Sequence, residues 1–199
     1  MKQVGGIALG LVLAVVAPGA FASTLIDFEA QATSAGSSFT GTPDSPLSIG
    51  VATFTGGELL NAEFGLADQT SVYASEGVFG TDSNPITIQF SHPVDGFSLL
   101  VANGGNTDTF TISDNLGDKV TGSLASAGAG GSQVFTLPGD GLSSVAITSS
   151  NVNGWNFAID NVAFTETPEP KSFFLTALAF LGLGAAIVIR REIRASRTR

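Results

Sequence analysis

The chain has 199 residues, with 17 acidic against 8 basic side chains, a single histidine and no cysteine. That length gives room for one domain of ordinary size plus targeting segments. The missing cysteine excludes a disulfide framework, a thiol nucleophile and a zinc site of the usual kind. Residues 23–170 hold 16 of the 17 acidic side chains and only one of the basic ones, Lys119. Such a region repels phosphate backbones and anionic lipid, so nucleic acid is excluded as a partner. Divalent cations and neutral or cation-bridged polysaccharide remain compatible with it.

The N-terminus reads as a secretory signal peptide over residues 1–22. Lys2 supplies a positive start, Val4 to Val16 an apolar run, and Ala20-Phe21-Ala22 a small-x-small cleavage site after Pro18-Gly19. The folded domain is therefore expected over 23–165, on the far side of the inner membrane.

From Ser23 to Glu166 the pattern is alternation of period two, broken by clusters of Gly, Asn, Asp, Ser and Pro, which is the signature of many short strands. Strands are expected at 24–29, 47–55, 71–74, 85–91, 94–102, 108–113, 119–124, 133–137, 143–149 and 156–165. Asp114-Asn115-Leu116-Gly117-Asp118 has the residues of a hairpin loop. Ser91-His92-Pro93 reads as a tight corner between two strands, and 30–46 as a long polar loop. Ten short strands in an all-β chain imply an antiparallel two-sheet β-sandwich, most simply a jelly roll.

The run Phe157-Ala158-Ile159-Asp160-Asn161-Val162-Ala163-Phe164 carries a break in parity. Phe157 and Ile159 are odd-numbered, whereas Val162 and Phe164 are even-numbered, so a regular strand would send the pairs to opposite faces. If all four enter one core, an extra residue must be inserted near Asp160-Asn161 as a β-bulge, which re-aims the Asp160 carboxylate.

The tail has three parts. Thr167-Pro168-Glu169-Pro170-Lys171 forms a linker within 166–172 whose prolines hold the chain extended. Residues 173–189 are apolar and, as a helix, would be about 26 Å long, enough for a transmembrane span. The end, 190–199, carries five arginines, which the positive-inside rule places in the cytoplasm.

This order, on Pro168, Glu169, Pro170, the apolar span and Arg190-Arg191, resembles the PEP-CTERM sorting signal of exported Gram-negative proteins. Thr167 stands where a valine commonly precedes the motif, and Glu192 to Arg199 makes a longer tail than usual. The resemblance implies exosortase as a partner, processing of the tail at the inner membrane, and delivery to the cell surface or extracellular matrix. It also implies an association with exopolysaccharide and biofilm.

Within the domain, 157–164, Leu25-Ile26-Asp27-Phe28-Glu29 and Gly50-Val51-Ala52-Thr53-Phe54 resemble strands of jelly-roll carbohydrate-binding modules. The resemblance implies a structural calcium between first and last strands, and Glu29 and Asp160 are the matching positions. Calcium needs six to eight oxygens, so carbonyls and water would complete the set. The alternative is that Asp160 caps the bulge while Glu29 is solvated.

Trp155, the single tryptophan, stands in Asn151-Val152-Asn153-Gly154-Trp155-Asn156. It either covers the sandwich end as a core anchor or offers a ring on which a sugar stacks. Catalysis is poorly provided for: His92 is the only histidine, it precedes Pro93, and no Gly-x-Ser-x-Gly motif occurs. The expectation is thus a non-enzymatic, surface-sorted matrix protein. A carbohydrate-binding module with a defined glycan site is the alternative, and a secreted glycan hydrolase comes third.

Overall fold

The computed structural model describes residues 22–34, 46–61, 71–75, 85–126, 131–150 and 157–167. All of them belong to the unit Phe21–Thr167. The signal peptide, the sorting motif Pro168-Glu169-Pro170, the expected span at 173–189 and Arg190-Arg191 lie outside the described residues. Among the described residues no helix is long and apolar enough to cross a membrane.

Eleven antiparallel strands and one 3₁₀ turn make up the described chain. They are β1 (Ala22–Ile26), the turn at Glu29–Ser34, β2 (Leu47–Ile49), β3 (Ala52–Thr55), β4 (Gly57–Leu60), β5 (Val72–Ser75), β6 (Ile86–Asn103), β7 (Asp108–Asp114), β8 (Lys119–Leu124), β9 (Ser132–Thr136), β10 (Leu142–Ser149) and β11 (Phe157–Glu166). The all-β expectation therefore holds, and most expected strands agree to within a residue or two.

The organising element is β6, which is 18 residues long. Its first half lies between β3 and β10, and its second half between β9 and β11. The chain thus forms two layers that share one strand. One layer runs β2-β3-β6-β10-β7-β8; the other runs β4-β5-β11-β6-β9, with β1 beside the end of β11. The expected tight corner at Ser91-His92-Pro93 is not a turn between strands. Backbone pairing continues through it as β6 passes from one layer to the other, a manoeuvre that strands make at bends and bulges.

The parity of β6 records that passage. Ile86, Ile88, Phe90 and Val94 are buried, and then Phe97, Leu99 and Val101 are buried. The switch from even to odd requires an extra residue, and the pairing supplies it: Thr165 faces Asp95 while Ala163 faces Ser98. Gly96 sits in the bulge at φ +62°, a conformation that glycine adopts without the Cβ penalty.

Rings from the two layers meet in one core. Phe110 of β7 packs edge-on against Phe157 of β11, with centroids 5.4 Å apart. Phe90 of β6 meets Phe164 of β11 at 5.1 Å, and Phe54 of β3 meets Tyr73 of β5 at 5.6 Å. Burying such a ring contributes about 1.5–3 kcal/mol, and an edge-on pair adds about 1 kcal/mol. These contacts hold the layers together as a β-sandwich.

Two local details differ from expectation. Residues 30–34 belong to the 3₁₀ turn rather than to an open loop. The stretch 47–55 is a hairpin, β2 and β3, turning at Gly50. The expected hairpin loop at 114–118 forms, with Asp114 Oδ1 accepting from the amides of Leu116, Gly117 and Asp118 at 2.8, 2.8 and 2.9 Å.

Candidate functional site

Two places gather polar side chains that strand packing alone does not require. The first is the bulge in β11. Asp160 faces Leu100 and Ala163 faces Ser98, so β11 carries one residue more than its partner between those points. Phe157, Ile159, Val162 and Phe164 consequently all enter the core, as the parity break predicts. Asn161 holds the bulge at φ 48°, and its amide donates to Asp160 Oδ1 at 2.6 Å. The Asp160 side chain is 1% exposed.

The same bulge marks a change of neighbour. Along Val162 to Glu166 the edge partner of β11 is β1, and at Ala158 and Ile159 it is β5. Glu29 stands three residues beyond the end of β1, and its Oε1 accepts the amide of Ser71, one residue before β5. Glu29 and Asp160 therefore border one junction of β1, β5 and β11, and each accepts a main-chain amide there. Phe28, directly before Glu29, is wholly buried at φ +58° and packs against Phe54 and Tyr73. That strained residue turns the chain sharply from β1 into the 3₁₀ turn. Among the described residues no group of three or more His, Cys, Asp or Glu is placed to hold a metal. Any cation at this junction would draw most of its ligands from carbonyls and water.

Another buried acid, Glu58 of β4, is 2% exposed, and no motif in the sequence marks it. It pairs with Ala74 of β5, which in turn pairs with Ala158 of β11, so it lies on the face of that layer turned away from the main core. Residues 22–167 contain no arginine and one lysine, Lys119, which is exposed on β8.

The second place is the end of the sandwich where β6, β8 and β10 finish. Asp108, the first residue of β7, accepts the Thr109 amide at 2.6 Å and the hydroxyls of Ser149 and Ser150. The Ser150 amide donates to the Thr109 carbonyl at 2.9 Å. Asn103, wholly buried at the end of β6, donates to the Asn106 carbonyl at 2.8 Å and to the Leu124 carbonyl at 3.0 Å, and its Oδ1 accepts the Gly105 amide. Three connections are knit together at this end: 104–107, the exit from β8, and the residue that precedes 151–156.

The segment 151–156, with Trp155, lies outside the described residues. Both of its anchors are fixed: Ser150 by Asp108, and Phe157 by its pairing with Asn103 and by the Phe110 ring. Every phenylalanine and the tyrosine among the described residues is buried, Phe90 being the most exposed at 8%. None of them offers a face to a sugar.

His92 lies on the β6 corner, with Nε2 3.6 Å from Glu166 Oε2 and Nδ1 3.3 Å from the Pro93 carbonyl. The hydrogen bonds found for it involve no serine or threonine hydroxyl, so the described residues assemble no Ser-His-Asp relay.

No family model matches the sequence, and no curated protein matches it. Among solved structures, the chain resembles the CBM22-1–GH10 modules of xylanase 10B from Clostridium thermocellum at 13% identity and TM-score 0.41, over 72% of this chain and 28% of that one. It also resembles the family 11 carbohydrate-binding module of the Clostridium thermocellum cellulase Lic26A-Cel5E at 13% identity and TM-score 0.34, over 73% of this chain and 95% of that one. A family 29 carbohydrate-binding module follows at 10% identity and TM-score 0.33, over 76% and 99%. The chain spans less than a third of the length of the xylanase and of a fungal exo-β-1,3-galactanase that it also matches. With these TM-scores all below 0.5, the reading of the site rests on its own residues.

Proposed function

We propose that this chain is an exported protein sorted to the cell surface through its C-terminal segment, and that its β-domain is a non-catalytic glycan-binding module adhering to exopolysaccharide. The observation that carries the glycan half is the braced root of 151–156. Asp108, Ser149 and Ser150 fix one anchor and Phe157 the other, while the described aromatic rings are all turned inward. Trp155, flanked by three asparagines, is then the side chain best suited to stack on a sugar ring between amide donors. The jelly-roll connectivity belongs to the same proposal.

The sorting half rests on the order Pro168-Glu169-Pro170, apolar run, Arg190-Arg191, together with the signal at 1–22. It brings exosortase and the inner membrane as partners. A calcium ion at the junction bordered by Glu29 and Asp160 completes the proposal, supported by the position of both acids where β1, β5 and β11 meet. Catalysis has no such support: among the described residues the partners found for His92 are the Glu166 carboxylate and the Pro93 carbonyl, not a serine or threonine hydroxyl.

A glycan array with wild type and Trp155→Ala tests the glycan half. Binding by wild type and its loss by about tenfold or more in the variant are expected from the removal of a stacked ring. Wild type that binds no glycan would leave a purely structural matrix role.

A further inference from the structure

We propose that the His92-Pro93 corner of β6 is a clasp on the end of β11 that limits access of a processing endopeptidase to the adjoining sorting segment; this rests on the sorting reading. The grip is made from both sides and from the last residues of the fold. Glu166 faces Ala22 of β1 on one side and Val94 of β6 on the other. Its carboxylate takes the Thr24 hydroxyl at 3.2 Å on Oε1 and lies 3.6 Å from His92 Nε2 through Oε2. Thr167 has left the ladder, yet its hydroxyl donates to the Pro93 carbonyl at 2.6 Å.

Pro168 follows directly, so the fold holds the chain up to the edge of the Pro-Glu-Pro motif. Six residue steps separate Thr167 from Phe173 at the start of the apolar run, about 20 Å when extended. An endopeptidase that binds its substrate as an extended strand needs free backbone donors and acceptors on both sides of the scissile bond. The backbone of 163–166 is committed to β1 and β6 and offers none. Productive binding near the motif therefore waits on local opening of the β11 end, and the clasp sets how often that happens.

Pro93 is suited to this place. It has no amide to lose from a ladder, and its carbonyl is left to take Thr167.

The test uses the full-length chain in detergent micelles with proteinase K, cut sites being read by mass spectrometry. His92→Ala with Thr167→Val should raise the rate of cutting between 163 and 172 by about tenfold through more frequent local opening, with cutting in the rest of the chain unchanged as the internal control. Thr167→Ser alone keeps the hydroxyl and should cut at the wild-type rate. A parallel rise throughout the chain, or a rate within about twofold of wild type at 163–172, overturns the clasp. Tail removal followed in the producing cell separates the two readings. If the protease rate rises as expected and the tail is never removed in the cell, the sorting reading falls and the grip on β11 stands.

Discussion

The Asp108 carboxylate accepts the hydroxyl of Ser150, forty-two residues away in sequence, and so ties the start of β7 to the residue at which 151–156 begins. Three donors converge on this one acid: Ser149, Ser150 and the Thr109 amide. Asp108→Ala leaves them without their acceptor and should destabilise the domain by about 2–3 kcal/mol, read from the denaturant midpoint. Asp108→Asn keeps one acceptor oxygen and should cost less.

Asn161 gives a sharper contrast because its effect lies in the backbone. At φ 48° it occupies the left-handed region, which asparagine and glycine tolerate and β-branched residues do not. Asn161→Val should lose about 1–3 kcal/mol, whereas Asn161→Gly should stay within about 1 kcal/mol of wild type. Deleting Asn161 removes the bulge. It should turn Val162 and Phe164 out of the core and abolish the cooperative thermal transition.

Gly57 and Gly50 separate steric from conformational demand. A Cβ at Gly57 would lie 2.3 Å from the Ala74 carbonyl oxygen and 2.7 Å from Tyr73 Cε1. One at Gly50 would meet nothing within 4 Å, although φ there is +58°. Gly57→Ala should therefore cost about 2–3 kcal/mol by overpacking, and Gly50→Ala only about 1 kcal/mol by strain. Thermal melts of the two variants side by side check the order.

The calcium proposal predicts a higher melting midpoint with millimolar calcium than with chelator, because a ligand bound only by the folded state stabilises it. Glu29→Gln and Asp160→Asn should each shrink the difference. A midpoint that does not move between calcium and chelator removes the metal from the account.

Much of this fold was legible because strand parity is a direct readout of facing. Phe157 and Ile159 against Val162 and Phe164 announced the bulge at Asp160-Asn161, and the structure has it there. An equal signal, Phe90 and Val94 against Phe97 and Leu99, stands in the sequence beside His92-Pro93. Ser91-His92-Pro93 suggested a turn, whereas the chain bends there without breaking its pairing. Strand β4 was missed for a different reason: Gly57, Glu58, Leu59 and Leu60 are all buried, so no alternation marks them. The brace at Asp108 was not legible at all. A lone aspartate after a polar loop resembles any solvated acid, and only the pairing of β10 with β7 brings Ser149 and Ser150 to it. The tail motifs, by contrast, were read without any fold, since their order alone carries the resemblance.

Strand β11 begins at Phe157, directly after the segment with Trp155, and ends at Glu166, directly before the tail. The nine residue steps of this strand span roughly 30 Å between these points. On the proposed function, a pull between a sugar held by 151–156 and an anchored tail would run lengthwise along β11. It loads the hydrogen bonds to β1 and β6 together, in shear, instead of peeling them apart one by one. If the chain works as proposed, tension between glycan and anchor meets the domain through a strand gripped on both sides by its neighbours.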